Sequence, residues 1–259
     1  MKKKPVKNIA VRHELILKKL QNIGRISIDE LIEEMQVSGV TIRKDLKLLE
    51  EKNLLFRTWG GASLTNPYKI EKPIQEKELL KVKEKQQIAR AALNLIGEND
   101  SIIIGSGTTV FELARCIQPQ QRLTVITPAL RVGLELCNKP NVDVLLLGGM
   151  VRPSSSSATG LFAEKILDEI SSGILFLGVD GIDMDFGFSI TNLEETSLGQ
   201  KMIQASQITV IMADSSKFGQ RGLGRICPLD HVQYIVTDSG VSSEIVEKVE
   251  EAGVKVIIA

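Results

Sequence analysis

The chain has 259 residues, 43% of them apolar, and its 32 Lys and Arg residues are matched by 32 Asp and Glu. That length and apolar content support a sizeable core, best divided into one large and one small domain, and exclude a chain disordered over most of its length. Cys116, Cys137 and Cys227 form no CxxC pair, no leader-like segment precedes the first helix, and no apolar run approaches the roughly 18 residues of a spanning helix, so the reading is of a soluble cytoplasmic protein.

The zero net charge is a sum of unlike parts. Residues 1–64 carry 13 Lys and Arg against 8 Asp and Glu, a balance of +5, and the remainder carries 19 against 24, a balance of −5. A basic head on an acidic body is the distribution expected when a small module touches phosphate backbone and a separate domain has another task.

In chain order, Ile16, Leu20 and Ile23 fall on one stripe of an amphipathic helix over 11–23, which Gly24 would end. Ser27 and Glu30 form a capping box, and Ile28, Leu31, Ile32 and Met35 make the apolar face of a second helix. Ser38 caps a third, with Ile42, Leu46 and Leu49 inward and Arg43, Lys44 and Lys47 outward. Three such helices could be an ordinary bundle, but the residues that follow favour a hairpin. The span 54–58 reads as a strand, Gly60-Gly61 as a tight turn tolerant of positive φ, and 62–64 as the returning strand. A hairpin after the third helix is a wing. The third helix would then enter a DNA major groove about 12 Å wide, N-terminal residues first, while Arg57 meets phosphate.

These words resemble the DeoR family of bacterial repressors of sugar catabolism. The match runs through Val37-Ser38-Gly39-Val40-Thr41-Ile42-Arg43-Lys44-Asp45-Leu46, then Leu48-Leu49-Glu50, then Arg57-Thr58-Trp59-Gly60-Gly61-Ala62. The resemblance implies that Ser38, Thr41, Arg43 and Lys44 face operator DNA and that Arg57, Gly60 and Gly61 form the wing; Lys47 is added as a phosphate contact. Asp45, on the half-buried flank, is expected to orient a neighbouring cation rather than read bases.

Asn66-Pro67 and Lys72-Pro73 break helix, giving domain boundaries of 1–64, a linker 65–73 and a second domain 74–259. The run 74–96 reads as one charged, solvent-exposed helix with Leu79, Ile88, Ala89, Ala92 and Leu93 as apolar points. Seven short apolar runs follow, at 101–104, 123–127, 142–147, 174–179, 208–213, 234–237 and 254–258, alternating with helical segments. Continuous hydrophobicity means that both strand faces are covered, so the fold class is α/β: a mostly parallel sheet with helices on both sides. In such sheets a ligand lies beyond the carboxyl ends of the strands.

Four strand ends carry suggestive residues there. Ser106, Gly107, Thr108 and Thr109 open a helix and could gather amides and hydroxyls on an anion. Gly149 would let backbone approach a ligand, and Arg152 could clamp an oxyanion. Asp180 and Asp183 suit sugar hydroxyls, and Lys217 supplies a point charge for phosphate. Taken singly, a glycine turn or a lone loop lysine is usually structural; four at one edge are harder to dismiss. Their order is similar to the C-terminal sensor of the DeoR family, which resembles the fold of ribose-phosphate isomerase and glucosamine-phosphate deaminase. Gly105 stands where that family commonly has an acid, and Pro128 where it commonly has Asn, so the sugar-recognising half of the pocket departs from the family pattern.

The resulting expectation is a non-enzymatic, DNA-binding repressor of a carbohydrate operon. It has no cofactor and no metal, and it is a homo-oligomer, dimer or tetramer, modulated by a phosphorylated sugar. The alternatives are an isomerase- or deaminase-like enzyme using Asp180, Asp183, Glu194 or Glu195, and a dinucleotide-binding protein. The second lacks its third glycine, because position 110 is Val110. A deaminase-like site would want a histidine, and His13 and His231 are the two that exist.

Overall fold

The computed structural model describes residues 6–23, 25–52, 54–58, 60–63 and 73–259. The chain divides into two compact units, Met1–Lys69 and Ile70–Ala259. Gly24 as a helix end, the Ile23 side chain, Trp59 and Leu64 of the wing, and Asn66-Pro67 and Lys72 of the linker lie outside the described residues.

The first unit runs α1 Ile9–Ile23, β1 Arg25–Ser27, α2 Ile28–Met35, α3 Gly39–Glu51, β2 Phe56–Thr58 and β3 Gly61–Ser63. Helix α1 begins two residues before the expected start because the Asn8 side chain accepts from the Ala10 amide at 2.9 Å, a cap that the apolar stripe could not reveal. The Ser27–Glu30 capping box forms in both directions, and Ser38 Oγ accepts from the Thr41 amide. Ile16, Leu20, Leu31, Met35, Ile42, Leu46 and Leu49 meet in one core with Ile26, Leu55 and Ala62. The wing is three-stranded, in the order β1-β3-β2 and antiparallel throughout. Strand β1 is an addition: three residues between two helices leave no alternation to read.

The two wing glycines differ, which corrects their common reading as positive-φ residues. Gly60 has φ +84° and open space where a Cβ would stand, whereas Gly61 carries no positive φ and a Cβ there would sit 2.0 Å from the Ile26 carbonyl oxygen. Gly61 is required by the close approach of β3 to β1, and Gly60 by the turn.

The second unit starts with α4 Ile74–Glu78 and α5 Val82–Leu93, then β4 Ser101–Ile104, α6 Thr108–Cys116, β5 Leu123–Thr127, α7 Leu130–Leu136 and β6 Val142–Leu146. A hairpin, β7 Met150–Arg152 and β8 Ser157–Thr159, leads into α8 Leu161–Asp168 and β9 Ser172–Gly178. Next come β10 Gly181–Asp183, β11 Gly187–Ile190, α9 Leu193–Gln204, β12 Ser206–Met212, β13 Gly224–Cys227, β14 Tyr234–Thr237, α10 Ser243–Glu251 and β15 Lys255–Ile258. Seven strands pair in parallel in the order β15-β14-β12-β9-β4-β5-β6, and they are the seven apolar runs of the sequence. Alternate strand residues face two cores. Ile103, Leu175, Leu177 and Ile211 pack with α8, α9 and α10 residues such as Ala163, Met202 and Val249. Ile102, Ile104, Ile174, Phe176 and Val210 pack with Ile88, Leu113 and Leu136 of α5, α6 and α7. The hairpin and a small antiparallel sheet, β10-β11-β13, were not expected, since their strands are three or four residues long.

The run 74–96 is not one exposed helix. It breaks at 79–81, where Lys81 has φ +55°, and Leu79 is 82% exposed while Ile88, Ala89 and Ala92 are fully buried. Lys85 is buried as well, at 5% exposure.

Candidate functional site

In the first unit, the apolar face of α3 fixes which side chains point outward. Ile42, Leu46 and Leu49 are buried, and Arg43, Lys44 and Lys47 are exposed on the opposite side. At the start of α3, Ser38 Oγ and Thr41 Oγ1 lie 2.9 Å apart, so both hydroxyls serve the cap as well as the surface. Lys47 is 4.0 Å from Glu51, a loose pair one turn on. Arg57 is exposed on β2, with its guanidinium 3.8 Å from Glu50, whose carboxylate also accepts the Arg57 amide at 2.8 Å. A phosphate at the wing would compete with that carboxylate. Asp45 is buried and takes Arg12 through two hydrogen bonds, Nε–Oδ2 at 2.6 Å and Nη2–Oδ1 at 3.0 Å, with His13 Nε2 at 3.4 Å from Oδ1. The cation that it orients comes from α1, not from α3.

In the second unit, strand order sets the site. The chain moves from β4 to β5 and β6 on one side, then returns to place β9 and β12 on the other, so β4 and β9 flank the switch point. Their carboxyl ends carry Gly105 to Gly107 and Asp180. The two ends touch: a Cβ on Gly178 would lie 3.2 Å from the Ser106 carbonyl oxygen. Gly107, at φ +127°, is the first residue of the α6 ladder, its carbonyl accepting from Phe111, so the amides of Thr108, Thr109 and Val110 precede the helical bonds. No side-chain cap satisfies them. Val110 is fully buried in the core, which leaves the missing third glycine no role to play.

Asp180 is the electrostatic centre. Oδ1 takes Lys77 Nζ at 2.9 Å and Oδ2 takes the Thr191 amide and hydroxyl at 3.0 Å each. Burial by itself pushes this carboxyl up, but the charge and hydrogen bond of Lys77, the charge of Lys217 and the Thr191 amide more than reverse it, holding the group at about 2. Lys217 sits on a short turn after β12, anchored by the side chain of Asp214, which accepts from the Ser216 amide. Burial pushes the Lys85 ammonium down, with Asp214 opposing and Lys217 reinforcing that shift. Lys77 and Lys85, which join Asp180 and Lys217 here, were missed because a mixed-charge run reads as a solvated face when the packing partner is unknown.

Other expected residues are engaged differently. Gly149, at φ +147°, would bring a Cβ 2.3 Å from the Thr159 carbonyl oxygen, so the hairpin itself requires glycine. Arg152 stands 3.7 Å from Glu195, which also accepts from Ser157 Oγ at 3.0 Å; an oxyanion would have to compete with Glu195. Glu194 accepts from Thr159 Oγ1 at 3.0 Å. Asp183 holds a turn instead of facing the site, accepting from the Asp185 and Phe186 amides and from Arg221. At the two family departures, a Cβ on Gly105 would meet the Leu177 side chain at 2.8 Å, and Thr127 Oγ1 accepts the Ala129 amide just past Pro128. Among the described residues there is no cluster of His, Cys, Asp and Glu fit for a metal, and no helix long and apolar enough to cross a membrane.

A unit of three helices and a wing with exposed cations on its third helix, followed along the chain by a seven-stranded parallel α/β unit, is the make-up of a DNA-binding transcriptional regulator. Residues 12–67 match the DeoR-like helix-turn-helix domain and residues 80–239 the DeoR C terminal sensor domain, and the chain belongs to the DeoR family. It is 33% identical to a provisionally named aga operon transcriptional repressor of Escherichia coli O157:H7, over 98% of this chain and 96% of that one. It is 35% identical to the uncharacterized HTH-type regulator YulB of Bacillus subtilis strain 168, over 96% of each chain. The glycerol-3-phosphate regulon repressor of Escherichia coli K12 is 31% identical, over 88% of this chain and 90% of that one. Likeness to solved structures is slight. Ribose 5-phosphate isomerase A from Neisseria gonorrhoeae gives a TM-score of 0.39 at 18% identity over 53% of each chain, too low to carry functional meaning.

Proposed function

We propose that this protein represses a carbohydrate-catabolism operon and that a phosphorylated sugar, bound at the β4/β9 switch point, sets its affinity for operator DNA. The observation that carries this reading is the juxtaposition of the α6 amino end with Asp180 and Lys217. Amides at a helix start and a lysine suit a phosphate dianion, and an ionised carboxylate suits sugar hydroxyls. Ser106, Gly107, Thr108, Thr109 and Lys217 would hold the phosphate and Asp180 the sugar, with Gly149 and Arg152 at the neighbouring hairpin. Ser38, Thr41, Arg43, Lys44 and Lys47 would meet the operator, with Arg57, Gly60 and Gly61 as the wing. The names of two relatives fit this reading, one a provisionally named aga operon transcriptional repressor and the other a glycerol-3-phosphate regulon repressor.

We further propose that the working form is a cytoplasmic homo-oligomer and that it does not turn its ligand over. Of the four carboxylates that an isomerase-type reading would use, Asp180 is held at about 2 by its neighbours, where it is a feeble base, Asp183 holds a turn through the Asp185 and Phe186 amides, and Glu194 and Glu195 accept from Thr159 and Ser157. Coupling of about 1 to 3 kcal/mol between effector and operator, roughly 5- to 150-fold, is enough for induction.

The test begins with thermal-shift screening against ribose, glucosamine, fructose and tagatose phosphates, because a ligand of the folded state raises the midpoint. Operator titrations of wild type and Lys217→Ala follow, each with and without the best ligand. Loss of a charge-assisted contact should weaken the ligand by about 1.5 to 3 kcal/mol in the variant while effector-free operator affinity stays near wild type. An unchanged response would remove Lys217 from the site, and equal binding of the unphosphorylated sugar would end the phosphate reading.

A further inference from the structure

Helix α4 is the first described element after the residues that join the two units, and it has little strength of its own. Five residues form it, Pro73 begins it without a side-chain cap, and a helix that short does not persist in water unaided. Its position therefore depends on what it touches. The Ile74 side chain is buried, and the Ile74 amide donates to the Ser154 carbonyl in the β7–β8 turn at 2.8 Å. Glu78 pairs with Arg131 of α7, and the buried Lys85 donates to the Lys77 carbonyl at 2.5 Å. A further tie is Lys77 Nζ to Asp180 Oδ1 at 2.9 Å, made to the residue at the centre of the candidate effector site. Immediately beyond, Leu79 and Leu80 are exposed and Lys81 turns the chain at positive φ.

We propose that Lys77 is a further residue of the effector site, acting as an internal counter-ion of Asp180 that latches α4 to the sheet and is displaced when a ligand takes that carboxylate. The inference rests on the reading of the switch point as the effector site. Asp180 is mostly buried, so an ionised carboxylate that loses Lys77 must find replacement donors. It keeps the amide and hydroxyl of Thr191 and the nearby charge of Lys217, and a polyhydroxylated ligand offers further donors at the same oxygen. The Lys77 side chain is 29% exposed, so its ammonium can leave Asp180 for water or for the ligand's anionic group without a large desolvation cost. What the exchange changes is the anchoring of the element that leads, along the chain, to the DNA-binding unit. A ligand with differential affinity for the latched and unlatched states then shifts the balance between them.

The test needs no sugar phosphate, so its failure is separable from failure of the effector reading. Full-length wild type, Lys77→Met, Lys77→Arg and Lys83→Met are compared by hydrogen–deuterium exchange and by titration of an operator duplex recovered by in vitro selection. Lys83 is an exposed lysine of α5 and serves as the control. The amides of Glu76, Lys77 and Leu80, bonded to Pro73 and Lys77 carbonyls, report α4 directly. In Lys77→Met they should exchange about tenfold faster, and operator affinity should change by about fivefold or more. Lys77→Arg should restore both readouts, and Lys83→Met should change neither. Faster exchange with operator affinity unchanged would reduce Lys77 to a local structural role and overturn the proposal, as would wild-type exchange in Lys77→Met.

Discussion

Arg12 and Asp45 lie 33 positions apart and close on each other through two hydrogen bonds in the interior of the DNA-binding unit, with 7% and 1% of their side chains exposed. Arg12 also donates to the Val6 and Lys7 carbonyls, so one guanidinium ties the residues before α1 to the middle of α3. The pair sets how the helix that carries Arg43, Lys44 and Lys47 lies on the helix behind it.

Removing one partner leaves the other charge buried. Asp45→Asn should destabilise this unit by about 3 to 5 kcal/mol, whereas the joint change Arg12→Met with Asp45→Leu should cost far less, because burying neither charge is often as good as burying both. Denaturation followed by fluorescence of Trp59, the single tryptophan, reads the unit that contains it. A single variant as stable as wild type would show that the pair contributes nothing.

The wing glycines should separate cleanly. Gly60→Ala puts a side chain at φ +84° in open space, a cost of about 1 to 2 kcal/mol, and should leave operator affinity nearly intact. Gly61→Ala must push β3 off β1, since no Cβ tolerates 2.0 Å to the Ile26 oxygen, and should weaken the wing and operator binding together. Equal affinity of the two variants would contradict the three-stranded wing.

Operator binding should be electrostatic in bulk and specific in detail. If a dimer contacts roughly six phosphates, log K should fall against log salt with a slope near −5. Lys47→Ala should weaken all sequences alike, while Arg43→Ala should cost about 1 to 3 kcal/mol and relax preference at one base pair. Titrations at several salt concentrations, on operator and scrambled duplexes, decide between these; a flat salt response would remove the basic face from the interface.

Asp180 should leave a mark on acid stability. Burial opposes its ionisation, and Lys77, Lys217 and Thr191 overcome that, so its pKa falls from 3.8 to about 2 on folding. The unfolded chain then binds the proton more tightly, and the stabilisation, about 2 kcal/mol, is complete above pH 4 or so and is lost as pH falls through about 2. Wild type should lose stability more steeply than Asp180→Asn between those limits. Parallel curves from denaturant melts at successive pH values would mean that Asp180 is not held ionised by its neighbours.

Much of the architecture is legible in the sequence. The Ser27 and Ser38 caps, the outward cations of α3 and the seven sheet strands follow from local chemistry: a cap needs an oxygen three residues from an amide, and a strand covered on both faces needs an unbroken apolar run. Residues 106–109, 180 and 217 could be placed at strand ends for the same reason. Which strand ends meet was not local. The reversal that seats β9 beside β4 brings Gly178, two residues before Asp180, to Ser106 across more than 70 positions, and no spacing in the chain encodes that adjacency. Lys77 and Lys85 show the limit most clearly. Their neighbours in sequence are charged, which predicts solvent, yet Lys77 meets Asp180 and Lys85 is buried and donates to the Lys77 carbonyl of α4. A lysine's surroundings are set by whatever packs against it, and only the tertiary structure decides that.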